Sequence, residues 1–248
     1  MKAFASDYDG TLFFRSINGC KEEDLKAIQN LQHTGALFGI CTGRPFEGIR
    51  KFISKELKPD FFIVSSGAAI LNKNYEVIYE KPLGIEVAEK LCGLYDDVNY
   101  MFIHAGHNVF AYKKAKPDAL VSRVVIEKLD EIADKKIYGL SYSLGNEDAA
   151  SDFANRINTQ FKEQCAAFQN KDSVDVVSKG CSKGESLLRI KELMNVEYCY
   201  GIGDSFNDIP MLIKADTSFT FHRCDRKVKE HADYVVDSVA EAIEQYIL

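Results

Sequence analysis

Tryptophan is absent from the 248-residue chain, proline occurs only five times, and none of the seven cysteines sits in a CxxC pair. Without that pairing the thiols at 20, 41, 92, 165, 181, 199 and 224 lack the spacing of a zinc ribbon or a redox dithiol. Several fall in apolar stretches such as FGIC, so they read as reduced, buried cysteines. No apolar run approaches 18 residues, which excludes a membrane-spanning helix. Asp7 interrupts the only early stretch that could form the apolar part of a secretion signal, so a soluble, cytoplasmic protein is expected. Positive charge is also short: 31 basic against 37 acidic residues give a net charge of −6, mixed along the chain. That balance offers no basic field for a phosphate backbone, and nucleic acid and membrane are excluded as expected partners. Repeats and Pro-rich or Gly/Ser-rich linkers are missing as well. His104 and His107 form an HxxH pair, but no cysteine or carboxylate stands near them in sequence, so a loop or core pair is expected rather than zinc.

What the chain does contain is 46% apolar and 27% charged residues, the balance of a globular protein. Its length suits one large domain or a domain carrying a second one. KAFAS, ALFGIC and FFIVSS read as strands. Leu25, Ile28 and Leu31 recur at helical spacing and stop at Gly35, and Ile49, Phe52, Ile53 and Leu57 predict a second helix. Strand-helix-strand units of this length require right-handed crossovers and therefore a parallel sheet. The same alternation returns in YCYGIG, TSFTF and DYVV, with IPMLIKA and RKVKEHA as helices. From about Pro82 to Ser178 the pattern changes. NYMFIHAG and HNVFAYKK read as a hairpin, and amphipathic helices are expected near 117–134 and 147–161. The predicted fold is α/β, with a Rossmann-like parallel sheet formed by residues 1–81 and 179–248 and an inserted α+β domain at 82–178.

Every unusual polar cluster falls at the carboxyl end of a predicted parallel strand, where open α/β sheets bind ligands. The first is SDYDGT, with Asp7, Asp9 and Thr11. Residues i and i+2 of a strand share a face, and two like charges about 4 Å apart repel by about 4 kcal/mol near a protein surface. A positive object is expected beside them. CTGRP places Thr42 and Gly43 before a helix whose first position is expected to be Pro45, an arrangement suited to a phosphate oxygen. CSKGES gives Ser182 and Glu185 the spacing of a capping box and puts Lys183 in the first helical turn, against the helix dipole. On helix rules alone, replacing Lys183 by Met is expected to leave the phosphate-free protein as stable as the parent or slightly more so. GIGDSFND gathers Asp204, Asn207 and Asp208. Hard oxygen ligands shared with a substrate phosphate suit Mg²⁺.

DYDGTL, CTGRP, SKGESL and GDSFNDIPML resemble, in order and spacing, the four motifs of the haloacid dehalogenase (HAD) superfamily of phosphohydrolases. The likeness is to the Cof-like branch (subfamily IIB), with an α+β cap inserted after the third strand, and it spans nearly the whole chain. It implies a Mg²⁺-dependent phosphatase for a small phosphorylated metabolite, with sugar phosphates among the candidates. Carried onto this sequence, it implies that Asp7 attacks phosphorus and becomes an aspartyl phosphate, and that Asp9 protonates the leaving oxygen and then takes a proton from water. Asp7, the Asp9 backbone carbonyl and Asp204 would bind Mg²⁺, with Asp208 supporting them. Thr42, Gly43 and Lys183 would hold the phosphoryl group, and Asn207 would orient Lys183 or a substrate oxygen. Substrate choice would fall to the cap. The sequence departs from the branch at Tyr8, usually aliphatic, at Ser66, usually Asn, and at FHRCD, where a Gly-Asn-Ala segment is expected. A phosphosugar mutase and a non-catalytic, receiver-like phospho-aspartate protein are alternatives on the same scaffold; Asp9 speaks against the second. Oligomeric state is left open.

Overall fold

Lys2–Ser6 is buried on both sides, which is why it reads as a continuous apolar run rather than an alternating one. Phe4 packs into one apolar cluster with Phe38, Ile40, Phe62 and Phe219, while Ala3 and Ala5 face another with Phe61, Ile63, Leu187 and Ile190. The computed structural model describes residues 1–51, 53–115 and 124–248. Lys2–Ser6 lies inside an eight-stranded sheet whose order is Tyr234–Val236, Thr217–Phe221, Tyr198–Ile202, Lys2–Ser6, Leu37–Cys41, Phe61–Val64, Ala69–Asn72 and Val77–Glu80. The first six run parallel, as the strand-helix-strand pattern predicts. The last two are added antiparallel, an extension that the expected all-parallel core lacked. Among the helices beside this sheet, Glu22–His33 and Val239–Tyr246 bury Ile28, Leu31 and Ile243 in the cluster around Phe4, and Lys183–Leu193 buries Leu187 and Ile190 in the other.

A second, six-stranded sheet is built from Val125–Ile126, Asn108–Tyr112, Tyr100–Ala105, Ile137–Ser143, Ser173–Ser178 and Cys165–Asn170, in that order. Its Tyr100–Ala105 and Asn108–Tyr112 form the expected antiparallel hairpin. Ile85–Cys92 and Glu147–Gln160 contribute Ala88, Leu91, Phe153 and Ile157 to its own apolar cluster. Tyr138, Phe168 and Val177 reach across from this sheet to pack with the cluster around Phe4, and Tyr138 donates to Glu80 Oε2 at 2.6 Å.

Several helices differ from their expected extents. Of the one expected near 117–134, residues 116–123 lie outside the described residues, and the remainder is the strand Val125–Ile126 followed by a 3₁₀ turn, Leu129–Ile132. Ile126, Leu129 and Ile132 recur every three residues, a period that a 3₁₀ turn meets as well as an α-helix does. The helix expected through Ile49 and Leu57 spans only Phe46–Arg50; Phe52 lies outside the described residues, and Pro45 stands at the cap rather than at the first helical position. RKVKEHA shortens to Arg226–Lys229. All seven cysteines are free, Cys20 half-buried and the others buried. Among the described residues no helix is long and apolar enough to cross a membrane.

Candidate active site

The carboxyl ends of Lys2–Ser6, Leu37–Cys41 and Tyr198–Ile202, together with the start of Lys183–Leu193, bring the motif residues together. Asp7 continues the strand before it, its N–H donating to Ile202 O at 2.9 Å. Tyr8 turns into the core and stacks on Phe13 with ring centroids 5.5 Å apart, as expected of a side chain facing away from the site. Gly10 adopts φ +87°, and a Cβ there would stand 2.6 Å from Asp204 Oδ2, so the chain passes close over Asp204 only because position 10 is glycine.

The positive objects expected beside Asp7 and Asp9 include two side chains of the protein itself. Lys183 Nζ lies 2.6 Å from Asp7 Oδ1 and 2.5 Å from Asp208 Oδ1, and it is only 1% exposed. Arg44 donates through Nε to Asp9 Oδ2 at 2.6 Å and through Nη2 to Asp9 Oδ1 at 2.5 Å, a fork matched to a carboxylate. The buried bridge argues against the expectation that Lys183 can be lost without loss of stability. Its ammonium is not in water, and removing it strands two buried carboxylates. Ser182 does cap the helix, its Oγ accepting Glu185 N–H at 2.9 Å, and so fixes where Lys183 starts.

Asp208 commits both oxygens: Oδ1 to Lys183, and Oδ2 to the N–H groups of Asp204 and Ser205 at 3.1 and 3.0 Å. It therefore braces the turn rather than facing a ligand. Asn207 is buried in the same turn. Lys183 takes its orientation from the two aspartates. Thr42 closes the adjacent strand, its N–H donating to Ile63 O at 2.8 Å and its Oγ1 accepting Arg44 N–H at 3.1 Å. Ser65 and Ser66 zip onto this loop, their N–H groups donating to Arg44 O at 2.8 Å and Thr42 O at 3.1 Å. Thr11 Oγ1, four residues after Asp7, is the one buried side-chain oxygen among the described residues without a hydrogen-bond partner.

Charge is unbalanced here. Carboxylate oxygens of Asp7, Asp204 and Asp208 lie within 4.8 Å of one another, the one such group among the described residues able to hold a metal ion, and a single ammonium faces them. Burial, then Asp208, pushes the Asp7 carboxyl up to about 7 although Lys183 pulls it down. Burial and Asp7 push Asp204 up to about 6, and burial raises Asp208. Burial works against the Lys183 cation, yet Asp208 and Asp7 together hold its pKa well above the ordinary lysine value. A divalent cation with hard oxygen ligands fits this deficit of positive charge. His104 and His107 play no part in it: His104 is buried beside Ser141, and the His107 ring rests against Phe46. Sequence reasoning missed Arg44 as a site residue, although it lies in CTGRP two positions after Thr42.

A fold of this order, with carboxylates at the first and fourth parallel strand ends and a buried lysine between them, defines an α/β protein with a candidate cation site at the carboxyl ends of its sheet. The haloacid dehalogenase-like hydrolase family matches residues 4–247, and the chain belongs to that family. A 5-amino-6-(5-phospho-D-ribitylamino)uracil phosphatase of Bacillus subtilis is 24% identical over 255 residues, covering 100% of this chain and 96% of its own. A phosphoglycolate phosphatase of Sulfurisphaera tokodaii is 24% identical over 240 residues, covering 94% and 86%. Among solved structures, the HAD subclass IIB sugar phosphatase BT4131 superposes with a TM-score of 0.82 at 20% identity over 99% of each chain. A haloacid dehalogenase-like hydrolase from B. subtilis gives 0.85 at 18% over the whole of both. The chain is thus a HAD-type phosphatase, a phosphoric monoester hydrolase.

Proposed function

We propose that the protein is a Mg²⁺-dependent phosphatase of small phosphorylated metabolites that works through an aspartyl phosphate on Asp7. The observation that carries this reading is the Asp7–Lys183–Asp208 bridge beside Asp204, a buried site with too little positive charge of its own. Asp7, Asp204 and the Asp9 backbone carbonyl would hold Mg²⁺, which when bound offsets the charge of the phosphoryl oxygens. The relatives' named substrates, a phosphorylated ribitylaminouracil and phosphoglycolate, share little beyond a phosphoryl group on a small molecule, which supports the substrate class and no single member of it.

Lys183 holds Asp7 Oδ1, so Oδ2 is the oxygen left to attack phosphorus. Lys183 and the Thr42–Gly43 loop receive the phosphoryl oxygens, and Asn207 contacts an oxygen of the substrate. Arg44 holds both Asp9 oxygens, so the fork opens to free one of them, with which Asp9 protonates the leaving oxygen and then takes a proton from the water that attacks the phospho-aspartate. Covalent capture divides one slow displacement into two faster ones. Residues 82–178 act as the cap that selects the leaving group. A panel of phosphorylated metabolites assayed with Mg²⁺ and with EDTA tests the reading. Hydrolysis of at least one sugar or polyol phosphate that disappears with EDTA is expected, and turnover that persists in EDTA contradicts it.

A further inference from the structure

Arg223 stands in FHRCD, where the family resemblance predicts Gly-Asn-Ala, and the chemistry proposed for Asp7 and Asp9 does not use it. It follows the strand Thr217–Phe221 in a turn held at both ends. Cys224 is buried and its N–H donates to Phe221 O at 3.0 Å, while Asp225 accepts Lys227 N–H at 2.7 Å and starts the helix Arg226–Lys229. The guanidinium lies over the ring of Phe221, 3.8 Å from its centroid, and 5.6 Å from that of Phe14 in the hairpin Phe13–Phe14 and Gly19–Cys20. Phe221 is 1% exposed, so the guanidinium rests on a fixed surface and stacking sets its plane.

From that seat Arg223 Nη2 donates to Gly10 O at 2.5 Å. The two peptides that meet at Gly10 are thus pinned separately. Gly10 N–H donates to Phe13 O at 3.0 Å, and because the N–H and C=O of one planar trans peptide point in opposite directions, this bond turns the Asp9 carbonyl away from Phe13. Arg223 holds the following peptide, between Gly10 and Thr11. Gly10 itself, at φ +87°, has no Cβ to limit its dihedrals, and it passes so close to Asp204 that a Cβ would stand 2.6 Å from Oδ2. The backbone position most free to shift therefore lies between the Asp9 carbonyl and Asp204, two of the groups assigned to Mg²⁺.

We propose that Arg223 is a positioning residue for the cation site: by gripping Gly10 O from a stacked guanidinium, it fixes the dihedrals of Gly10 and with them the spacing of the Asp9 carbonyl from Asp204. Its charge gives the opposite sign from its grip. Burial and Asp7 raise the Asp204 carboxyl, and Arg223 is among the cations that lower it, so its field reaches the site. A positive charge there repels Mg²⁺, so by charge alone removing Arg223 tightens the metal, whereas by position removing it loosens the metal. Losing a group that orients metal ligands typically costs about tenfold to a hundredfold in metal affinity, which outweighs the repulsion from an exposed guanidinium screened by water and salt.

The inference rests on the Mg²⁺ reading of this site, and calorimetric titration of Mg²⁺ into the substrate-free protein separates the two. Arg223→Met should weaken Mg²⁺ binding by about tenfold or more. Arg223→Lys, which keeps the charge and one donor but not the planar stack, should fall between Arg223→Met and the parent, and it decides the matter if Arg223→Met does not fold. With Mg²⁺ saturating, the KM for para-nitrophenyl phosphate should stay within about twofold of the parent's, because Arg223 acts on the metal ligands and not on the substrate. Variants that melt lower yet keep the parent's Mg²⁺ affinity would reduce Arg223 to a surface brace, tighter Mg²⁺ binding would leave it only a charge, and a raised KM at unchanged Mg²⁺ affinity would move it onto the substrate. Each of these overturns the inference alone. A parent that takes up no Mg²⁺ overturns the reading of the site with it.

Discussion

Lys183 Nζ bridges two carboxylates in a place that is almost closed to water. A helix rule alone sets a lysine at this position against the dipole, yet the two ion pairs outweigh that effect, because breaking a buried pair costs about 3–5 kcal/mol whereas an exposed dipole conflict costs about 0.3–1 kcal/mol. Lys183→Met is therefore expected to melt well below the parent and to lose turnover by about a hundredfold or more. Thermal unfolding and steady-state rates check both, and normal stability in the variant contradicts the burial argument. Arg44 grips Asp9 with two nitrogens, a geometry that lysine cannot copy. Arg44→Lys is expected to reduce kcat by about tenfold to a hundredfold with a smaller change in KM, since what it disturbs is the position of the acid-base group rather than the phosphoryl contacts. An equal rise in KM at constant kcat would place Arg44 on the substrate instead.

At the scale of elements, three of the motifs were legible because each fixes residue types at the end of one parallel strand, where local sequence and chemistry coincide; SKGES, expected at a fourth such end, instead follows the antiparallel strand Ser173–Ser178 of the second sheet and opens the helix Lys183–Leu193. Asp7, Thr42 and Asp204 stand at their strand ends, and Lys183 reaches them from the first turn of its helix. Asp175 was not legible as a neighbour of Ser66, because 109 residues separate them and only the meeting of two sheets joins them. The hairpin Ala69–Asn72 and Val77–Glu80 and the helix Val239–Tyr246 also escaped, being short elements that tertiary burial selects more than local propensity does. Replacing 82–178 by a short linker tests how separable the second sheet is. Tyr138, Phe168 and Val177 pack on the first sheet's cluster, so the trimmed protein is expected to melt lower than the parent. It is nevertheless expected to cleave para-nitrophenyl phosphate weakly, since no motif residue lies in the interval. A trimmed chain that folds but shows no Mg²⁺-dependent cleavage contradicts the division of labour.

Over the whole molecule, the crowd of buried carboxylates makes stability depend on pH and on metal. Asp7 and Asp204, pushed by burial to about 7 and about 6, bind protons more tightly folded than unfolded. Their contribution is complete below about pH 4 and is lost as pH rises through those values. Mg²⁺ needs the deprotonated ligands, so the rise in melting temperature that it produces is expected to be larger at pH 7.5 than at pH 5, and absent in Asp204→Asn. A Mg²⁺ effect equal at both pH values contradicts the ligand assignment. The central claim, that Asp7 carries the phosphoryl group, is tested most directly by quenching the working enzyme, reducing it with borohydride and sequencing it by mass spectrometry. Reduction of an acyl phosphate leaves homoserine, and the account predicts homoserine at position 7 only when substrate and Mg²⁺ are both supplied. Turnover without homoserine there, accompanied by undiminished activity in Asp7→Asn, would contradict it.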